Sequence, residues 1–377
     1  MQTPDIQAIH SAKFSGVIAL AGGGSQALAD LLKQPGASST ILEAIVPYSN
    51  QAMVNYLGST PVQVCSALTA RQMAMQAFQH AGTLSSDAAD SLFGLGLTAA
   101  LATRPARKGS DRCHIALQTL TDTLEITIDF TLPASEQLRQ QQEHICGTQV
   151  ISMLSRLLDP KASVKALEES SSAYQASFHC TAGLPEWQSI LTNKISCSTQ
   201  IEPPGLIFPG AFNPVHKGHL EMKQLAEEMT GLSASFEISV TNVDKPPLDY
   251  REMENRSANL NRLGNLIFTR AATFTEKATI FPGATFIVGA DTIKRIASIT
   301  YYQLDSQRRD RAILEMVQLG VRFIVFGRSA DGRFYTLEDL NLPADLKSIC
   351  TQVPESSFRE DISSTLLRLN QSISTNP

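Results

Sequence analysis

One stretch constrains this chain more than any other. Gly210–His219 reads Gly-Ala-Phe-Asn-Pro-Val-His-Lys-Gly-His. A short apolar run, Leu206-Ile207-Phe208, precedes it, and a helical pattern carrying Leu220, Met222, Leu225, Ala226 and Met229 follows. The motif therefore belongs at a strand-to-helix turn. The first amides of a helix have no partner inside it, and the helix dipole adds partial positive charge there. Phosphate is the natural ligand of such a place. Gly210 and Gly218 let backbone approach a ligand, and Pro214 stiffens the turn. Phe212 and Asn213 lie within the same turn, and Lys217 adds a cation beside it. His216 and His219 are three apart and share a face at the first helical turn. Two imidazoles there suit the charge that builds on a leaving pyrophosphate.

A second stretch has the same character. Asp361-Ile362-Ser363-Ser364-Thr365-Leu366-Leu367-Arg368 opens an apolar helical pattern with three hydroxyl residues. Arg368 lies one turn past Ser364 on a similar face. Alone, this is an ordinary Ser/Thr cap. Together the two stretches resemble the nucleotidyltransferase superfamily with the His-x-Gly-His and Ile-Ser-Ser-Thr-x-x-Arg signatures. The resemblance covers residues 205–377. It implies a Rossmann-like domain with a mainly parallel sheet, and a triphosphate held by His216, His219, Arg368 and the Ile362–Thr365 helix start. It also implies Mg²⁺ accompanying ATP.

The subgroup follows from the loops between the motifs. Phe236–Val240 reads as a strand, and the prolines after Lys245 make the next segment an ordered loop at that strand's end. Ala284–Val288 reads as another strand, ending in Gly289-Ala290-Asp291-Thr292. Asp291 suits ribose hydroxyls, and Asp291 or Thr292 suits a cap of the following helix, two roles that are compatible. Arg251–Thr269 reads as one helix and Val321–Phe326 as a strand. These loops look most like those of pyridine mononucleotide adenylyltransferases. Where bacterial members place a tryptophan against the pyridine ring, this chain has Tyr301 and Tyr302. Lys245, Tyr301 and Tyr302 are thus the candidate pyridine pocket.

The first part of the chain alternates strand and helix patterns, which implies an α/β layer domain. Phe14–Leu20 reads as a strand, followed by Gly22-Gly23-Gly24-Ser25 and a helix stopped at Pro35-Gly36. Ile41–Val46 is a strand, Val62–His80 a helix, His114–Leu120 and Leu124–Phe130 two further strands, and Ser135–Leu158 a long helix. With Val46–Gly58, which contains Tyr48-Ser49-Asn50, this region resembles the CinA C-terminal domain over residues 1–160. That family includes nicotinamide mononucleotide deamidases. Its Glu-Ser-x-Thr-Gly-Gly motif is altered to Gly22-Gly23-Gly24-Ser25, and its lysine after Tyr-Ser-Asn is Met53. Its Thr-Gly-Ile-Ala-Gly-Pro loop survives only as Gly94–Ala99. Without the lysine a serine hydroxyl lacks an activating group, so deamidase activity is not expected. Gly23, Gly24, Ser25, Tyr48 and Ser49 remain a candidate ligand site. Residues 161–204 read as a linker, with Trp187 as an anchor between domains.

The whole-chain properties are compatible. A length of 377 residues suits two or three domains. A net charge of −5 argues against a nucleic-acid surface. No apolar run suggests a membrane span, and the N-terminus lacks a signal-peptide pattern. The six cysteines form no Cys-x-x-Cys pair, so neither a metal site nor a disulfide framework is expected. The expected compartment is a reducing cytoplasm, and a homo-oligomer is expected. The expected activity joins ATP and nicotinate or nicotinamide mononucleotide in NAD biosynthesis. The alternatives are a bifunctional enzyme that also deamidates, and a nucleotide-binding regulatory protein without turnover.

Overall fold

A computed structural model of the chain describes residues 5–105, 107–132, 135, 137–159, 172–199, 202, 205–242, 245–330 and 333–359. The chain divides into two compact units, Met1–Gln188 with Asp244–Met253, and Ser189–Val243 with Glu254–Pro377.

The first unit contains α1 (Ile6–Ser11), β1 (Ser15–Ala21), α2 (Ser25–Leu32), β2 (Ile41–Ile45), α3 (Asn50–Leu57) and α4 (Ala67–Leu84). These are followed by β3 (Leu92–Ala100), β4 (Arg112–Thr119), β5 (Asp122–Phe130), α5 (Leu138–Ser155) and β6 (Tyr174–Ala182). The sheet runs β2-β1-β3-β4-β5-β6. Its β2-β1-β3 part is parallel and the rest antiparallel. β1 is buried at every position, as a parallel strand covered on both faces should be. Gly94 and Gly96 lie on β3, not in a loop, because α4 packs directly onto them. A Cβ on Gly94 would sit 2.1 Å from the Ala74 carbonyl oxygen, and one on Gly96 would sit 2.3 Å from that of Ala70. β6 and the start of α6 (Pro185–Leu191) fall within the stretch read as a linker. β6 pairs along its whole length with β5, and Tyr174, Phe178 and Thr181 are its buried positions.

The segment Asp244–Met253 groups with this unit for evident reasons. Buried Arg71 bonds to Asp249 at 3.2 Å and to Glu252 at 3.0 Å, and it also pairs with Glu125. Tyr250 is fully buried, donates to the Leu120 carbonyl at 2.5 Å, and stacks on Trp187 at 6.2 Å between ring centroids. A Cβ on Gly183 would strike the Tyr250 ring at 2.4 Å. Lys245 belongs to this segment, whereas Tyr301 and Tyr302 belong to the second unit.

The second unit contains β7 (Leu206–Pro209), α7 (Lys217–Thr230), β8 (Ala234–Ser239), most of α8 (Tyr250–Leu260), β9 (Leu266–Thr269), α9 (Phe274–Ile280) and β10 (Thr285–Gly289). Then come α10 (Ala290–Ala297), α11 (Ser306–Gln318), β11 (Arg322–Phe326), the hairpin β12 (Arg328–Ala330) and β13 (Arg333–Tyr335), α12 (Ala344–Ser348) and β14 (Cys350–Gln352). The main sheet is wholly parallel, in the order β14-β11-β10-β7-β8-β9. The helix expected over Arg251–Thr269 ends at Leu260. Gly264 follows at φ +157°, and Leu-Ile-Phe-Thr then forms the edge strand β9, since β-branched and aromatic residues suit a half-covered pleat. The core between sheet and helices includes Phe286, Phe323, Val288, Ile293, Ile313 and Met316. Each such side chain contributes about 1.5–3 kcal/mol by leaving water.

Candidate functional site

From β7 the chain proceeds to β8 and β9 on one side, and then to β10 and β11 on the other. The β7/β10 pair is thus the point where strand order reverses. In open parallel sheets ligands bind outside the carboxyl ends of the strands at such a point. The His-x-Gly-His loop leaves the end of β7, and Gly289-Ala290-Asp291 leaves the end of β10.

Local packing fixes the motif. Phe212 is buried with φ +45°, a left-handed conformation rare for a side-chain-bearing residue. Its ring meets Phe208, Phe236 and His219 edge-on at 5.1, 5.0 and 5.1 Å. A Cβ on Gly210 would lie 2.7 Å from that ring, so only glycine fits there. The Gly210 amide donates to the Glu237 carbonyl at 3.0 Å. The Asn213-Pro214 peptide bond is cis. His216 caps α7, and its ring stacks on that of His219 with centroids 3.7 Å apart. The His216 amide donates to His219 Nδ1 at 3.2 Å. Nδ1 of His219 is therefore an acceptor, and the ring proton sits on Nε2, which is left as the donor. Burial, and then the neighbouring His216, push the His219 imidazole down to about 4. Gly218 is buried in the first turn, while Lys217 is exposed and pairs with Glu221 at 2.9 Å.

Across the reversal point, a Cβ on Gly289 would enter open space. Gly289 itself is the cap of α10, so Asp291 and Thr292 lie inside the first turn and neither caps the helix. Asp291 pairs with Arg328, both about half exposed. Tyr302 donates to the Ile296 carbonyl at 3.1 Å, and burial raises its hydroxyl pKa. Tyr301 is the more exposed ring of the two. Lys245 is exposed. Ile362, Ser363, Ser364, Thr365 and Arg368 lie outside the described residues. Among the described residues no group of three or more His, Cys, Asp or Glu is placed to hold a metal ion.

The first unit carries its own concavity. A cavity of about 440 Å³ is lined by Gly22, Ser25, Tyr48, Arg139, Glu143 and His144, among others. A second, of about 250 Å³, shares Gly22, Tyr48 and Arg139 with it. Glu143 closes the start of α2. Its carboxylate accepts the Gly24 amide at 2.9 Å, the Ser25 hydroxyl at 2.8 Å and the Gln26 amide at 3.1 Å. Partial burial pushes that carboxyl up, but the Ser25 hydroxyl and the amides outweigh it and hold it below its usual value. Gly23 leaves room for this, since a Cβ there would lie 3.2 Å from Glu143 Oε2. Arg139 donates to the Gly22 and Ala102 carbonyls at 3.0 and 3.2 Å. Ser49 caps α3 through the Ala52 amide at 3.1 Å. Met53 is buried with Ala19, Ala21, Leu57 and Met73. The sequence carried no sign of Glu143 or Arg139, because the helix that bears them meets the glycine turn only in the fold.

A parallel sheet reversing at β7/β10, with paired histidines opening the next helix, defines a nucleotide-handling α/β domain. Residues 207–370 match the cytidylyltransferase-like family. That match, over less than half of the chain, indicates a nucleotidyltransferase-like domain in the C-terminal region. No curated protein matches the chain. Among solved structures, the chain is similar to a competence/damage inducible protein, CihA, from Agrobacterium tumefaciens, at 19% identity and TM-score 0.32. That match covers 41% of this chain and 91% of the other. It is also similar to a competence-damaged protein (CinA) superfamily member from Klebsiella pneumoniae, at 15% identity and TM-score 0.31, covering 40% and 92%. A related Escherichia coli protein matches at 15% identity and TM-score 0.29, covering 40% and 83%. No helix among the described residues is long and apolar enough to cross a membrane.

Proposed function

We propose that the C-terminal region is an adenylyltransferase that joins ATP to nicotinate or nicotinamide mononucleotide, releasing pyrophosphate, in NAD biosynthesis. The mononucleotide phosphate attacks the α-phosphorus of ATP, a bond forms between them, and pyrophosphate leaves with the electron pair. Such chemistry needs alignment and charge neutralisation rather than a covalent nucleophile. The observation that carries the reading is the His216–His219 pair at the start of α7, beside the strand-order reversal. With Nδ1 of His219 occupied by the His216 amide, Nε2–H is the donor the His219 ring offers to a triphosphate oxygen, and the first α7 amides add to it. Ser363, Ser364, Thr365 and Arg368 supply the second clamp. Gly289, Asp291 and Thr292 border the nucleotide, and Tyr301 offers the aromatic face for the pyridine. Mg²⁺ arrives with the triphosphate, since magnesium is commonly held by substrate phosphates and few protein groups.

The first unit is proposed to lack deamidase activity. Met53 is core where an activating lysine is needed, and Ser25 is engaged by Glu143. One assay tests both parts. Purified protein with ATP, Mg²⁺ and each mononucleotide should release pyrophosphate and form dinucleotide, without ammonia. ATP binding without pyrophosphate release would favour a regulatory protein. Ammonia release abolished by Ser25→Ala would favour a bifunctional enzyme.

A further inference from the structure

A buried ion pair lies at the carboxyl end of β8, one strand from the motif. Glu237 is fully buried and Lys277, on α9, is 5% exposed. Lys277 Nζ reaches both Glu237 carboxylate oxygens at 2.7 Å, the Ser239 hydroxyl at 2.6 Å and the Ala271 carbonyl at 3.0 Å. Thr269 donates to the same carboxylate, and Ser239 donates to the Ala271 carbonyl. An ammonium with four oxygen neighbours is fully satisfied. Even so, burying two charges costs several kcal/mol per ion, and an apolar pair of similar volume is often as stable or more so. Stability alone gives a weak reason for this arrangement.

Its position suggests another. Glu237 stands opposite Pro209 in the β7/β8 register, and its carbonyl accepts the Gly210 amide, the first amide of the motif loop. The preceding residue, Phe236, faces the other side of the sheet and supports Phe208 and Phe212, which in turn carry the His219 ring. The pair thus pins β8, β9 and α9 together at a residue whose carbonyl holds the first amide of the motif loop. We propose that Lys277, acting through Glu237, is a positioning residue for the His216–His219 loop. This rests on the adenylyltransferase reading above. Displacing reacting groups by as little as an ångström costs roughly a hundredfold in rate.

The test is the double variant Glu237→Leu/Lys277→Met in the full chain. Ser239, Thr269 and Ala271 keep polar partners in one another, so the variant should fold, with a Tm close to wild type. Turnover should nevertheless fall about ten- to a hundredfold, and the His216 and His219 imidazole NMR signals should shift. Lys277→Met alone, which leaves an unpaired buried carboxylate, should unfold more readily than the double variant. A folded double variant with wild-type kcat and unshifted imidazoles overturns the proposal and leaves the pair structural. If the wild type itself releases no pyrophosphate, the adenylyltransferase reading fails. The imidazole signals still decide whether the pair positions the loop.

Discussion

The two units contain the same local device and finish it differently. Each has a strand, a glycine-bearing turn and a helix start: β1 to α2 through Gly22–Ser25, and β7 to α7 through Gly210–His216. At α2 the orphan amides are met by a carboxylate of the chain itself, Glu143 from α5. At α7 the helix opens with two stacked imidazoles, one of which is tied back by the His216 amide. A helix start attracts negative charge whatever its source. The lesson is that a glycine-rich turn before a helix specifies an anion, and the tertiary neighbours decide whether that anion is a ligand or a side chain.

The largest expected effect lies at α7. His219→Ala should lower turnover about 10²–10³-fold, the loss seen when one transition-state donor is removed, with circular dichroism unchanged. Near-normal pyrophosphate release by the folded variant would sink the catalytic assignment. Arg368→Ala comes next, with ATP use weakened about ten- to a hundredfold, as for a lost charge-assisted contact of roughly 1.5–3 kcal/mol. The Michaelis constant for the mononucleotide should change less. An unchanged ATP constant would make that stretch an ordinary cap.

Smaller effects test the other helix start. Glu143→Ala removes the acceptor of the Gly24 and Gln26 amides and should cost about 0.5–2 kcal/mol, the range for a lost helix cap, read by urea unfolding. The same change in turnover as in stability would contradict the division of labour between the units. The pH dependence of stability is the finest probe. His219 is held at about 4 by burial and by His216, and His114 in the first unit is held at about 4 by burial and by Arg112. An unfolded histidine titrates near 6.5. Between roughly pH 6.5 and 4 the unfolded chain therefore binds more protons, so stability falls as the pH drops through that window. His219→Gln should flatten this dependence for the second unit, and His114→Gln for the first. A slope that ignores both variants would mean that neither ring is held neutral.

Much of the fold was legible in the chain's own order. The apolar runs of β1, β7, β10 and β11 predicted strands, since strands covered on both faces need little polar character. The His-x-Gly-His stretch announced its strand-to-helix setting from residue type and spacing alone. Errors arose where neighbours in space overruled local pattern. Leu266–Thr269 looked like the end of a helix and became an edge strand, because β8 offered it a row of backbone partners. Gly94 and Gly96 looked like a loop and became strand, because α4 needed their bare backbone to pack.

The sequence by itself determined the apolar strands and the strand-to-helix turn that carries His216 and His219, because these follow from periodicity, glycine freedom and helix-start residues, whereas the parallel sheet came only as what the family resemblance implies. Three things were decided only by the tertiary structure: that Glu143 fills the first unit's helix start, that Asp249 and Tyr250 are held by Arg71 and Trp187, and that Lys277 sits on Glu237. Each joins residues far apart in the chain through one or two polar contacts or a ring face. Such contacts impose no periodic pattern on the sequence between them, and each takes effect only when burial removes the water that would otherwise compete.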